Sequence, residues 1–197
     1  MLSLLVEGFT AAWLPCSLIL AVPGAATVLA SRDHLAPGAA GFGIGVLLLS
    51  WLRFADLGGN FPSAAVAIAL ALAVAMLMVP MGVPEAASVA VGGFVAGGVA
   101  AELWEPCVGA EFGALLVTLP GDGPGGIVRL AVYLIGVLTP VAGVIALLKL
   151  LPPWVRERGA GVLSVIGGGV LGVIAVATAV GLHDEVVAKL FEWSLTT

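Results

Sequence analysis

The sequence predicts an all-α polytopic membrane protein, and three observations carry that expectation. The 197 residues are 61% hydrophobic and 10% charged, with mean hydropathy +1.20, whereas a soluble domain carries about a quarter charged residues. The apolar residues gather in runs of the roughly 20 residues that a bilayer crossing needs. Those runs are continuous Ala, Val, Leu, Ile and Gly, without the alternation of barrel strands. In lipid, helices satisfy their own backbone one segment at a time.

Six segments follow one another, at residues 4–30, 37–55, 63–83, 86–119, 127–151 and 160–182. Little of the chain is left for loops, so residues 1–197 read as a single transmembrane domain. The first segment has no Lys or Arg before it, so it does not read as a secretory signal peptide. Pro15 stands where a lipoprotein would need a small residue before Cys16. The second, fourth and sixth segments carry the pairs Gly41/Gly45, Gly93/Gly97, Gly109/Gly113 and Gly168/Gly172, each four residues apart. Small residues at that spacing let helix backbones approach closely, and packing within the bundle explains them more simply than a dimer seam.

Charge adds an exclusion and an orientation. A net charge of −5 and a pI near 4.8 argue against a nucleic-acid partner. Connections after the first, third and fifth segments hold Arg32, Lys149, Arg156 and Arg158, against Arg53, Arg129 and Lys189 on the opposite side. By the positive-inside rule this places both termini outside a bacterial-type cytoplasmic (inner) membrane, with the 149–159 loop in the cytoplasm.

The only two cysteines close nearly identical words, "WLPC" at 13–16 and "WEPC" at 104–107, separated by 91 residues. "IGVL" at 44–47 recurs at the same offset at 135–138; the third pair of segments matches in hydropathy alone. The chain thus reads as two copies of a three-helix unit, about 1–84 and 85–197. An odd number of spans per unit inverts the second copy, relating the halves by a pseudo-two-fold axis in the membrane plane. Residues near that axis meet their counterparts, which permits Cys16 and Cys107 to approach near mid-membrane.

Proline in mid-span breaks or kinks a helix. A helix restarting at Pro15 or Pro106 has proline at its first position, and the cysteine then meets free N–H groups and the helix dipole, which lower a thiol pKa. The plainer alternative is that both cysteines are small packing residues. What favours a redox pair is that the same dipeptide, at equivalent repeat positions, uses all the cysteine in the chain.

The stretches "LPCSLILAVPG" at 14–24 and "EPCVGAEFGALL" at 105–116 resemble the two motifs of the CcdA/DsbD family of transmembrane thiol–disulfide electron carriers used in cytochrome c biogenesis. Pro15, Cys16, Pro23 and Gly24 stand in matching places of the first, and Pro106, Cys107 and Gly109 in those of the second. The resemblance covers the whole chain. It implies a thiol–disulfide oxidoreductase-type carrier with no cofactor or metal, which takes electrons from cytoplasmic thioredoxin and passes them to an extracytoplasmic thioredoxin-like protein. Two departures stand out. Ile19 and Ala110 occupy places where the family commonly has a further proline, and Glu105 and Glu111 are unusual beside the second cysteine.

Ionisable residues inside spans are costly and often functional. Glu102, Glu105 and Glu111 surround Cys107, and Glu7 precedes Cys16 by nine residues. Glu111 shares a helix face with Cys107, where it either relays protons or lines a water-filled cavity; the cavity is the expectation for Glu102 and Glu105. His34 and His183 read as loop residues. Trp13 and Trp104 are expected to pack beside the cysteines, and Trp51, Trp154 and Trp193 to anchor at the interface. The competing function is a small transporter for a soft metal ion or solute, with two thiolates and nearby carboxylates as ligands. A third reading is a structural subunit in which the cysteines never pair.

Overall fold

A computed structural model describes residues 1–14, 17–31, 34–55, 61–79, 84–104, 110–150 and 152–182, together with Glu185, Ala188, Lys189 and Glu192. Among the described residues all regular structure is helical. The helices are α1 (Leu2–Ala11), α2 (Leu18–Ala30), α3 (Leu35–Phe54), α4 (Ser63–Met78), α5 (Glu85–Leu103), α6 (Ala110–Thr118), α7 (Pro124–Val137), α8 (Thr139–Leu150) and α9 (Pro153–Ala179), with a 3₁₀ turn at Leu119–Gly121 after α6.

The six apolar segments do not become six uninterrupted rods. α3, α5 and the Gly161–Ala179 part of α9 are each long and apolar enough to cross a bilayer. α7 and α8 make a fourth if they count as one span bent by 54°. The remaining apolar helices are shorter. This composition and these lengths are those of a membrane protein in a lipid bilayer.

The bend between α7 and α8 has a local cause. Pro140 lacks the N–H that would reach the Gly136 carbonyl, and proline inside a helix opens that turn. The freed carbonyl accepts instead from Thr139 Oγ1, so the backbone group is not left bare in lipid.

The centre of the bundle is the pair α3 and α5, which run parallel in close contact. A Cβ added at Gly41 would strike the carbonyl of Ala90, at Gly45 that of Phe94, and at Gly97 that of Phe42. At Gly93 the added Cβ would lie 2.5 Å from the Gly38 carbonyl oxygen. Two of the four small-residue pairs therefore face each other, as an internal seam. α4 packs on the far side of α5, where Gly92 meets Ala73 and Met76. α9 closes the bundle against α2 through Gly167, opposite Ala26 and Ala30, and against α4 through Gly168, opposite Met78. Gly172 has nothing within 4 Å of an added Cβ and plays no part in a seam. α1 packs on α7, where Gly136 meets the Leu5–Phe9 backbone.

Polar contacts fix the register of the central pair at both ends. His34 Nε2, just before α3, lies 3.7 Å from Glu85 Oε2 at the start of α5. At the other end Arg53 of α3 reaches the last carbonyls of α5.

Gly97→Val is expected to lower stability by about 2 kcal/mol or more, because backbone rather than a movable side chain opposes the new atoms. Gly43→Ala, where nothing lies within 4 Å of an added Cβ, is expected to be neutral or to stabilise by up to about 1 kcal/mol through helix propensity. Thermal unfolding of the two variants in detergent checks the contrast.

Candidate functional site

Both Pro-Cys words fall at helix breaks. Pro15 and Cys16 lie between α1 and α2; Pro106, Cys107, Glu105 and Gly109 lie between α5 and α6. All six are outside the described residues, so the site is built here from its flanks.

The first break is held by short-range bonds. Ala12 N donates to Gly8 O, Trp13 N to Thr10 O, Leu14 N to Ala11 O and Ser17 N to Leu14 O. Ser17 Oγ donates to Ala11 O at 2.6 Å. α2 then starts at Leu18 with Ser17 as its N-cap residue and no side chain capping it. Whether a helical turn restarts at Pro15, as the sequence suggests, lies outside the described residues. Pro23 and Gly24 are buried within α2. A Cβ at Gly24 would come within 2.7 Å of Val141 Cγ2 and 3.0 Å of Phe42 Cε1, so this glycine lets α2 settle against α8 and α3.

The second break is held by two charged side chains from distant parts of the chain. Arg53 Nη1 donates to the carbonyls of Glu102 at 2.8 Å, Trp104 at 2.9 Å and Ala101 at 3.2 Å. These are among the C-terminal carbonyls that a helix leaves without partners. On the other side, Glu7 of α1 grips the start of α6: its Oε2 accepts from Glu111 N at 2.9 Å and its Oε1 from Phe112 N at 3.0 Å. A carboxylate at a helix N-terminus satisfies orphan donors and opposes the positive end of the dipole.

An aromatic hub fills the space behind this break. Phe112 stacks on Tyr133 with centroids 4.0 Å apart and planes at 13°. Trp104 lies over Tyr133 at 6.4 Å and beside Phe112 at 6.2 Å, and Phe54 meets Trp104 and Phe112 edge-on. Four rings thus join the ends of α3 and α5 to α6 and α7. Trp104 is 1% exposed, whereas Trp13, its counterpart in the other word, is 70% exposed. The two tryptophans do not share an environment. Trp51, near the end of α3, is half-buried with its Nε1 enclosed and unpartnered; the side chain of Trp154, and Trp193 altogether, lie outside the described residues.

The expected span at 86–119 is divided between α5, which ends at Leu103, and α6, which is described from Ala110. α5 has 19 residues and is long enough to cross alone, running beside α3 to a shared end. α1, by contrast, has 10 residues. The second break follows a 19-residue helix, while the first follows a 10-residue one.

Of the carboxylates, the Glu111 side chain is exposed while its backbone N–H is held by Glu7. Glu102 lines a groove between α3, α4 and α5, with Oε1 accepting from Phe61 N at 3.2 Å. Among the described residues no group of three or more His, Cys, Asp or Glu converges as a metal site. The two residues that hold the break, Glu7 and Arg53, carried a signal in the sequence: each is an ionisable residue at or near the end of an apolar run, where it needs a stated partner. No family model, curated protein or solved structure matches this chain.

Arg53→Ala is expected to cost about 2–4 kcal/mol, because hydrogen bonds from a charged group contribute about 1.5–3 kcal/mol. Arg53→Lys is expected to recover part of it, since an ammonium also offers three donors. Glu7→Ala is expected to cost about 1–2 kcal/mol, as for other lost N-caps. Thermal unfolding with limited proteolysis at the 104–110 connection reads both.

Proposed function

We propose that this protein is a transmembrane thiol–disulfide electron carrier in which Cys16 and Cys107 form the redox pair. The observation that carries the reading is the Glu7 bridge: the helix that leads into Cys16 is bonded through Glu7 to the first amides of the helix that follows Cys107. Residues 104 and 105 positions apart in sequence are thereby tied together, one on the helix that precedes the first word and two on the helix that follows the second.

The architecture we propose is six spans as two inverted three-helix units, and several contacts support it. Writing α1 with α2, α5 with α6 and α7 with α8 as single segments, the pairing of the first with the fifth has its counterpart in the second with the fourth. Likewise the first with the sixth answers to the third with the fourth. Gly45 and Gly136, equivalent by the 91-residue offset, occupy similar positions: each faces a carbonyl and the amide four residues on, Phe94 and Gly98 for one, Leu5 and Phe9 for the other. The correspondence holds at the level of segments, not of helix halves. α2 supplies the contact with α9, whereas α5 supplies its counterpart with α4.

In the proposed reaction a thioredoxin thiolate attacks the Cys16–Cys107 disulfide and forms a mixed disulfide, releasing one protein thiolate. The second thioredoxin thiol then displaces the remaining cysteine. Thioredoxin leaves as its disulfide, and two electrons and two protons have reduced the pair. The reduced pair repeats the exchange in reverse on the disulfide of an extracytoplasmic thioredoxin-like acceptor. Thioredoxin on the cytoplasmic side and cytochrome c biogenesis as the output belong to this reading, as does an inner-membrane orientation with both termini outside.

Mass-tag alkylation in membranes, with and without prior reduction, tests it. The expected result is one intramolecular disulfide, which accumulates in cells lacking thioredoxin, and a mixed disulfide trapped in Cys16→Ser or Cys107→Ser. Two thiols that stay free under all these conditions would overturn the proposal.

A further inference from the structure

We infer that the groove between α3, α4 and α5 binds an aminophospholipid, its headgroup ammonium paired with Glu102 and an acyl chain laid along the groove. The inference is independent of the redox reading. The groove has a volume of about 350 Å³ and is lined by Leu49, Ala65, Ala69, Phe94 and Gly98, among other apolar residues, with Glu102 as the charged member of its wall. Its volume falls at the lower end of the range for small-molecule sites.

The position of the groove argues for lipid. α3 and α5 are both long enough to cross the bilayer, and Glu102 lies at the end they share, one turn or less from the last residue of α5. The apolar lining, from Gly98 back to Phe94, extends from there toward the middle of the helix. A carboxylate at one end and hydrocarbon along the rest is the complement of a cationic amphiphile.

The state of Glu102 supplies the charge argument. Its Oε1 accepts from Phe61 N, and among the described residues it makes no ion pair. Arg53, which reaches the Glu102 backbone, has its Nη1 committed to three backbone carbonyls. Carboxylates within spans are costly unless paired, and a ligand cation provides the partner. A primary ammonium carries three N–H donors, as the lysine head does; a trimethylammonium has none, and an anionic headgroup meets Glu102 with like charge. The expected order is phosphatidylethanolamine, then phosphatidylcholine, then phosphatidylglycerol.

The test places the full chain in phosphatidylcholine nanodiscs doped with photoreactive acyl analogues of each of the three lipids, and maps the crosslinks by mass spectrometry. Phosphatidylethanolamine is expected to label the 61–69 and 94–98 segments about threefold more than phosphatidylglycerol, the scale of a partly exposed ion pair. Glu102→Gln keeps an acceptor for Phe61 N and is expected to label all three lipids equally. Ala65→Leu with Ala69→Leu fills the groove and is expected to reduce labelling by every lipid, with size-exclusion profile and Tm confirming the fold. Equal labelling of the unmodified chain by all three lipids means unselective acyl contact and overturns the inference. So does a preference for phosphatidylglycerol, an unlabelled groove, or native mass spectra showing a second copy of the chain covering it.

Discussion

The close parallel contact of α3 and α5 is the constraint on which the rest of the structure depends. Four glycines remove the side chains that would separate the backbones, so each helix presents carbonyl oxygens where the other has no Cβ. In lipid there is little hydrophobic drive to bring helices together, and packing at this distance replaces it. Because the two helices start and stop together, their ends are brought into register. That register lets Arg53 reach the carbonyls of Ala101, Glu102 and Trp104. A shift of one residue along the seam would set glycine against side chain and withdraw the guanidinium from those acceptors.

From that end the structure propagates outward through the break. A helix that stops leaves carbonyls unbonded, and one that starts leaves amides unbonded; away from water both costs are high. Arg53 answers the first and Glu7 the second, each a charged group placed where the backbone dipole favours it. The aromatic hub of Phe54, Trp104, Phe112 and Tyr133 packs the same place with apolar surface. Opening the chain at the second Pro-Cys word is thereby made compatible with a tightly packed bundle. The first break uses cheaper means, a hydroxyl and short backbone turns.

Much of this was legible in the sequence because it follows from local rules. Long apolar runs without alternation gave helices, Gly41/Gly45 and Gly93/Gly97 marked a seam, and proline marked where helices stop. What was not legible is which run divides into what lengths. The 86–119 run is apolar but for three glutamates, and its proline does not say that a 19-residue helix ends at Leu103 with its last carbonyls held by Arg53, 50 positions earlier in the chain. Pro140 bends the fifth run, but proline alone does not state an angle. Trp13 and Trp104 stand at the same place in matching words, and only tertiary contacts bury one and expose the other. Glu7 was visible as an intramembrane carboxylate, while its partners, two backbone amides, carry no sequence signature at all.

The same asymmetry changes the chemistry expected of the two thiols under the relay reading. A helix restarting at each proline would offer its N–H groups to both thiolates alike. In α6 the amides of Glu111 and Phe112 are already taken by the Glu7 carboxylate, and a nearby carboxylate disfavours a second anion. α2 has no side-chain cap at its N-terminus. Under that reading the two words stand beside unlike helix ends, because a carboxylate holds the first amides of α6 while α2 has no side-chain cap.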